Sequence, residues 1–115
     1  MGGGTPDALA ETGAKLDAAW REAGRDGEPR KLALLYFALG DTEAAEANLR
    51  DYYGFLGEYA DRVAGSAAKD AETVRGYLDA FEQAGADEVI CFPALSDPEQ
   101  VDRVAEAAGL LARAA

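Results

Sequence analysis

Apolar residues form two kinds of pattern in this chain: short, nearly unbroken runs and longer stretches with helical spacing. The runs are KLALLYFAL at Lys31–Leu39 and EVICF at Glu88–Phe92. Neither alternates with polar residues, which is typical of strands covered on both faces in a parallel sheet. Glycine or proline bounds each run. The sequence therefore predicts two parallel strands, at about 31–39 and 87–92.

Helix starts and stops fall between and around these runs, and they predict four or five helices. Thr5 can cap a first helix from Pro6 to about residue 23. Asp41 and Asp70 can cap later helices, and Asp97-Pro98-Glu99-Gln100 has the arrangement of a capping box. The side chains expected to face inward are Leu9, Leu16, Trp20, Val74, Leu78, Phe81, Val101, Val104, Ala108 and Leu111.

The clearest helical periodicity lies in the middle of the chain. Apolar residues step by four and three along one face, at Ala45, Leu49, Tyr52, Leu56, Tyr59 and Val63. Gly54 and Gly57 interrupt this pattern, and glycine weakens a helix interior. Two outcomes stay open: one kinked helix, or two shorter helices joined near residue 54.

The order helix, strand, helices, strand, helix indicates an α/β fold with right-handed crossovers. Two strands are too few for a stable sheet that is buried on both faces, because each strand needs further neighbours. Residues 1–115 are therefore predicted to form a single partial domain.

The amino-acid composition limits which partners and which kinds of site are expected. The 115 residues carry 22 acidic and 11 basic side chains, a net charge of -11, so nucleic acid and anionic membrane surfaces are not expected partners. The absence of histidine removes the commonest general base and metal ligand, and no metal site is predicted. With one cysteine and no apolar run long enough to span a membrane, the expected location is the cytoplasm.

In parallel sheets, ligands bind at the carboxyl ends of the strands. The loops expected there are Gly40–Thr42, Pro93–Asp97 and, if the first helix follows another strand, Gly2-Gly3-Gly4-Thr5. These three loops are predicted to converge. Backbone N–H groups of the glycine run could bind a cofactor phosphate, although a loose N-terminus explains the run equally well.

Other polar and aromatic residues have simpler explanations. Asp41 and Asp97 are expected to serve as helix caps rather than as a catalytic pair. Cys91 is expected to be a small core residue. Tyr52, Tyr53 and Tyr59 could stack on a flat ligand, but core or interface packing is the commoner role. The spacing alone identifies no catalytic residue.

Several stretches, taken in order, resemble the C-terminal part of the luciferase-like monooxygenases, which are flavin- or F420-dependent oxidoreductases. They are GGGTPDALAE, LDAAWREAGRD, KLALLYFALGD, YLDAFEQAGADEVICFP and SDPEQVDRVAEAA. The resemblance implies the C-terminal part of a (β/α)8 barrel of the TIM type, with the predicted strands as its seventh and eighth.

The resemblance also implies a function. The parent enzyme would transfer reducing equivalents between FMN or F420 and a small organic substrate, in some members with dioxygen. Gly2, Gly3, Gly4 and Thr5 would be cofactor contacts. Most residues facing the cofactor in this family come from earlier strands, so the chain is expected to be inactive alone and the coding sequence to continue upstream of Met1.

Two other hypotheses stay open, and with them whether this chain acts as an enzyme. The chain could be a non-catalytic module that binds a partner or forms a homo-oligomer through the Leu49/Tyr52/Leu56/Tyr59 face. It could also be a small flavodoxin-like binding domain, although two strands are few for that fold.

Overall fold

The structure is a computed structural model that describes residues 4–110. It is an α/β fold, and its two strands are parallel. The elements in chain order are α1 (Pro6–Glu22), β1 (Leu32–Phe37), α2 (Thr42–Tyr52), a 3₁₀ turn (Gly54–Leu56), α3 (Tyr59–Ser66), α4 (Ala71–Gln83), β2 (Glu88–Pro93) and α5 (Glu99–Ala107). The predicted α/β class, the two parallel strands and the number of helices are confirmed for the described part of the chain.

The sheet pairs β1 with β2 in parallel register. The N–H of Asp87 donates to the carbonyl oxygen of Lys31 at 2.8 Å, and the N–H of Ala94 donates to that of Phe37 at 2.8 Å. Ala68 lies along the other edge of β1 and forms an isolated parallel bridge. The N–H of Ala68 donates to the carbonyl oxygen of Tyr36, and the carbonyl oxygen of Ala68 accepts from the N–H of Ala38.

The chain divides into two compact units. One contains the chain up to Leu34 together with Tyr77–Ile90, and the other contains Leu35–Gly76 and the chain from Cys91 onward. Each strand therefore contributes residues to both units.

In the first unit, α1, the start of β1 and the end of α4 enclose a core of Leu9, Ala33 and Phe81. The helix starts as predicted, because Thr5 Oγ1 accepts from the N–H of Ala8 at 3.2 Å. Gly13 is buried, and a Cβ there would lie 3.3 Å from Cε of Lys31, whose Nζ reaches Asp17 at 2.8 Å. The missing side chain thus leaves room for the Lys31 stem.

In the second unit, α2 and α3 pack with the end of β1 and the loop after β2. The buried residues of this core are mostly small, namely Ala38, Ala45, Leu49, Ala64, Ala67 and Ala94. Small side chains let the backbones of these elements approach closely.

The periodic stretch from 45 to 63 forms two helices, which confirms the second of the two predicted outcomes. Gly57 adopts φ +62° and ψ -128°, a combination that strongly favours glycine, so the helix cannot continue through it. The break changes which residues face inward. Ala60 and Ala64 are buried in α3, whereas Tyr52, Leu56 and Tyr59 are exposed, so of the two roles left open for the tyrosines, core packing does not apply to Tyr52 and Tyr59.

Three further burial predictions need correction. β2 was expected to be covered on both faces, but its residues are exposed or half-buried, including Ile90 and Phe92. Leu16 is partly exposed in α1, and Val101 is 66% exposed in α5. Leu111 lies outside the described residues.

The longest helix of residues 4–110 has 17 residues, and none of their helices combines the length and apolar character that a membrane span needs.

Candidate functional site

A cleft of about 280 Å³ lies in the second unit, where β1 ends and the loop after β2 begins. Its walls come from β1, from α2 and from the loop that leads to α5. The lining residues are Tyr36, Asn48, Leu49, Tyr52, Pro93, Ala94, Leu95 and Ser96. The cleft therefore occupies the strand end at which parallel α/β proteins bind their ligands.

Two tyrosine hydroxyls meet beside this cleft. Alternation along β1 buries Leu35 and Phe37 and turns Tyr36 to the opposite, half-buried face. Tyr53 directly follows α2 as its C-cap residue, and its hydroxyl forms a hydrogen bond with that of Tyr36 in which either oxygen can be the donor. The pair links the strand to the helix that follows it.

Aromatic rings extend the wall around this pair. Tyr53 contacts Tyr36 edge to face at 6.0 Å and Tyr52 at 4.9 Å between ring centroids. Phe92 of β2 lies 5.9 Å from Tyr36. Tyr52 is 71% exposed, so its ring keeps a face available to a ligand. The cluster joins Tyr52 and Tyr53, which were predicted as possible stacking residues, to two strand residues that were not. Tyr59, the third predicted stacking residue, does not line the cleft.

Burial, followed by the hydrogen bond and charge of Tyr53, raises the pKa of Tyr36 to about 12. The Tyr36 hydroxyl is therefore protonated at every physiological pH. It can donate or accept a hydrogen bond, but it does not act as a phenolate base.

Asn48 holds in place the loop after β2, which forms one wall of the cleft. Its Nδ2 donates to the carbonyl oxygen of Ala94 at 3.0 Å, which joins α2 to the loop after β2. The Oδ1 atom is an acceptor by its chemistry. Asn48 thus combines a structural contact with a place in the cleft lining.

A second cleft, of about 350 Å³, lies in the same unit and carries more charge. It is lined by Leu39, Gly40, Lys69, Asp70, Ala71, Arg103, Glu106 and Ala107. Lys69 pairs with Glu46 at 2.5 Å, which lowers the pKa of that carboxyl. Arg103 donates to the Leu39 carbonyl oxygen at 2.5 Å and to Glu99 at 3.0 Å. Since both cations are already paired within the protein, this cleft is the weaker candidate.

Gln100 connects the loop after β1 to α5. Its Oε1 accepts from the N–H of Leu39 at 2.9 Å, and its Nε2 donates to the carbonyl oxygen of Leu39 at 2.8 Å. The capping-box prediction for Gln100 is therefore wrong, because this side chain turns away from the start of α5. Local spacing could not reveal the role, since the partner lies 61 residues away.

The predicted caps are confirmed. Asp41 Oδ1 accepts from the N–H of Ala44 at 3.0 Å, and Asp97 Oδ1 accepts from that of Glu99 at 3.0 Å. These two carboxylates serve the starts of α2 and α5, as expected.

Of the four predicted cofactor contacts, the structure describes Gly4 and Thr5, which belong to the first unit. Gly2 and Gly3 are outside the described residues. Gly4 has φ +108°, and Thr5 caps α1. Their predicted contact with a cofactor stays a prediction, and so does the convergence of their loop with the other two.

Cys91 is half-buried, and desolvation raises the pKa of its thiol. This environment suits a packing residue and disfavours a reactive thiolate. Within residues 4–110, no group of three or more His, Cys, Asp and Glu side chains could hold a metal ion.

The sequence matches no protein-family model and no curated protein. The structure is similar to that of an F420-dependent secondary alcohol dehydrogenase solved in complex with an F420-acetone adduct. The TM-score is 0.67 at 20% sequence identity, over 93% of this chain and 41% of the other. The chain thus spans about two-fifths of that enzyme and shares the fold of the matched part.

Proposed function

We propose that this chain is the C-terminal part of a luciferase-like (β/α)8-barrel oxidoreductase and that its cofactor is F420. The observation that carries the proposal is the similarity in fold, across 93% of the chain, to part of an enzyme that binds F420. The sequence resemblance to the luciferase-like enzymes supports the same family. It also implies FMN and monooxygenase chemistry, so FMN is the second cofactor to test.

The exposed strand β2 supports a barrel that extends beyond these two strands. Its sequence, EVICFP, is apolar after the first residue, yet its side chains are exposed or half-buried. An apolar strand of this kind normally has neighbours that cover it. In the proposed enzyme, preceding strand-helix units would cover β2 and close the barrel.

The cleft residues fit the ring system of a flavin-type cofactor. Tyr52 offers an aromatic face, and Tyr36 and Asn48 offer polar atoms at the edge of the cleft. When bound, F420 supplies a ring that accepts or donates a hydride. The residues of this chain would hold the ring and orient its polar edge, while a small organic substrate occupies the adjoining space.

The volume and the lining of this cleft explain why the isolated chain is expected to lack activity. Ligand pockets commonly enclose roughly 300–1,000 Å³, and this cleft of about 280 Å³ falls just short of that range. The described lining contains no lysine or arginine to bind a phosphate. The phosphate would be held elsewhere, with Gly2, Gly3, Gly4 and Thr5 as the proposed contacts.

The test is titration of the purified chain with F420, FMN and ATP, followed by cofactor fluorescence and amide NMR spectra. We expect F420 and FMN to bind more weakly than micromolar and to shift the amides that line the cleft. ATP, which carries phosphates without a flavin ring, should leave them unchanged. Equal shifts with all three ligands, or none at millimolar cofactor, would reject the proposal. Saturable micromolar binding would instead contradict the expected inactivity of the isolated chain.

An exposed aromatic surface favours a second candidate function, a non-catalytic interaction module. Leu49 is buried and so cannot belong to the predicted Leu49/Tyr52/Leu56/Tyr59 face. The exposed surface instead consists of Tyr52, Phe55, Leu56 and Tyr59, and Phe55 is 80% exposed. Under this alternative, sedimentation should show a defined dimer or larger assembly that Phe55→Ser dissociates. A folded monomer at high concentration would count against it.

A further inference from the structure

The bonded hydroxyls of Tyr36 and Tyr53 have hydrogen-bonding capacity left over. Each tyrosine hydroxyl carries one proton and accepts through its lone pairs. The bond between them uses one of the two protons. Tyr36 lines the cleft. Its hydroxyl either donates the hydrogen bond to Tyr53 or accepts it from Tyr53, and in the second case its own proton stays free.

We infer that the Tyr36–Tyr53 hydroxyl pair binds an uncharged oxygen of a small, flat or apolar ligand in the cleft. When Tyr53 donates to Tyr36, the Tyr36 proton is available to a carbonyl oxygen. When Tyr36 donates to Tyr53, the Tyr36 oxygen accepts from a ligand hydroxyl. Rotation of two hydroxyl protons therefore lets one site serve both a carbonyl and an alcohol, without movement of heavier atoms.

The surroundings of the pair favour a neutral ligand over an anion. No lysine or arginine lines the described part of the cleft. A carboxylate or phosphate would lose its hydration there without gaining a cation. The raised pKa of Tyr36 keeps its hydroxyl neutral at physiological pH, so it presents no charge of its own to a ligand. Tyr52, Leu49 and Leu95 supply apolar contact for the ligand body.

Two kinds of ligand carry such an uncharged oxygen. Their identity rests on the proposed function, which this inference makes more specific. One is the ring carbonyl of a flavin-type cofactor, and the other is a carbonyl or alcohol substrate. Lumiflavin, which has the flavin ring without phosphate, represents the first. Acetophenone represents the second. Toluene has a similar apolar body without oxygen and serves as the matched control ligand.

The experiment measures the dissociation constants of these three probes from amide NMR shifts of the full chain and of Tyr36→Phe. Removal of the Tyr36 hydroxyl should weaken the binding of acetophenone, of lumiflavin or of both by about five-fold, the equivalent of one ordinary hydrogen bond. Toluene binding should change by less than two-fold. Tyr59→Phe, a change at an exposed tyrosine outside the cleft lining, should leave all three probes unaffected.

A Tyr53→Phe variant separates direct contact from a structural effect. It breaks the same hydroxyl pair but keeps the Tyr36 hydroxyl, whose proton is then free to donate to the ligand, so acetophenone binding should stay within two-fold of that of the unmodified chain. Equal losses in both variants would show that the pair only maintains the fold, and the inference would be wrong. If Tyr36→Phe does not fold, the NMR shift of the hydroxyl-bearing ring carbon of Tyr36 provides the test. That carbon should respond to acetophenone and not to toluene.

Other outcomes distinguish this inference from the proposed function. If neither lumiflavin nor acetophenone shifts the cleft residues, or if Tyr36→Phe binds them unchanged, the inference is wrong. If F420 and FMN fail to bind while acetophenone binding still depends on Tyr36, the cofactor proposal fails and the inference stands. If F420 binds equally well to Tyr36→Phe and acetophenone does not bind at all, the cofactor proposal stands and the inference is wrong.

Discussion

Gln100 pairs its side-chain amide with both backbone groups of Leu39, in the manner of a strand neighbour. The two hydrogen bonds are 2.9 and 2.8 Å long, and the Gln100 side chain is almost completely buried. Arg103 adds a third bond, to the carbonyl oxygen of Leu39. The loop after β1 is therefore held by α5, and its position depends on polar contacts as well as on apolar packing.

Replacement of Gln100 by alanine should lower the free energy of unfolding by about 1–3 kcal/mol. The Leu39 carbonyl keeps its bond to Arg103, but the half-buried Leu39 N–H loses its partner, and the buried Gln100 side chain leaves a gap. Urea denaturation followed by circular dichroism measures the loss. Gln83→Ala, at the exposed end of α4, is the matched control and should change stability by less than about 0.5 kcal/mol. Equal effects of the two substitutions would contradict the role assigned to Gln100.

Two glycine-to-alanine substitutions should have opposite effects. Gly40 has φ +141°, a backbone conformation that L side chains rarely adopt, so Gly40→Ala should destabilise the fold by about 1–3 kcal/mol. Gly76 lies within α4 with open space around its Cα, so Gly76→Ala should stabilise the fold by about 0.5–1 kcal/mol. Thermal unfolding of both variants provides the measurement. A stabilising Gly40→Ala would show that the loop relaxes into an ordinary conformation.

Alkaline titration should identify Tyr36 as a late-titrating tyrosine. Its pKa of about 12 comes mainly from burial, with a further increase from Tyr53. Phenolate absorbance of the unmodified chain, compared with that of Tyr53→Phe, measures the second contribution. The Tyr36 pKa should fall in Tyr53→Phe while remaining raised by burial. Tyr59→Phe should leave it unchanged, and an unchanged pKa in Tyr53→Phe would contradict the hydroxyl pair.

The same shift predicts how stability depends on pH. The folded-state pKa of Tyr36 is above the unfolded value of 10.0, so between about pH 10 and 12 the folded chain holds a proton that the unfolded chain has released. The Tyr36 contribution to stability is fully present below pH 10 and is lost as the pH rises toward 12. The midpoint of urea denaturation should therefore decline less steeply across this range in Tyr36→Phe than in the unmodified chain.

Cys91 should react slowly with thiol reagents in the folded chain. Burial raises the pKa of its thiol and limits access, and the thiolate is the reactive form. The rate of reaction with a disulfide reagent at mildly alkaline pH should be well below that of free cysteine. Addition of urea should restore a normal rate. A fast reaction in the folded state would show that the end of β2 opens readily.

Features with local causes were predictable from the sequence. Thr5, Asp41, Asp70 and Asp97 accept from backbone N–H groups within three residues of themselves, so their roles depend only on neighbouring residues. The two apolar runs likewise identified the strands, because unbroken apolar sequence is typical of parallel sheets.

Features that depend on distant partners were not predictable. Tyr36 and Tyr53 are separated by 17 residues, and Tyr36 and Phe92 come from different strands. The strand pattern placed Tyr36 on β1 but did not show which neighbours its hydroxyl would meet. The candidate site was accordingly found at the predicted strand ends, with two of its four aromatic residues foreseen.

The sequence by itself determined the α/β order, the helix starts and the two parallel strands, since these follow from local backbone preferences and from periodicity. Only the tertiary structure decided that Tyr52, Leu56 and Tyr59 are exposed, because α2 ends at Tyr52 and α3 begins only at Tyr59, so the periodic stretch does not form one continuous helix face. It also decided the pairing of Gln100 with Leu39 and the meeting of two hydroxyls at the cleft. These contacts join residues far apart in the chain, and packing of the whole chain, rather than local spacing, brings them together.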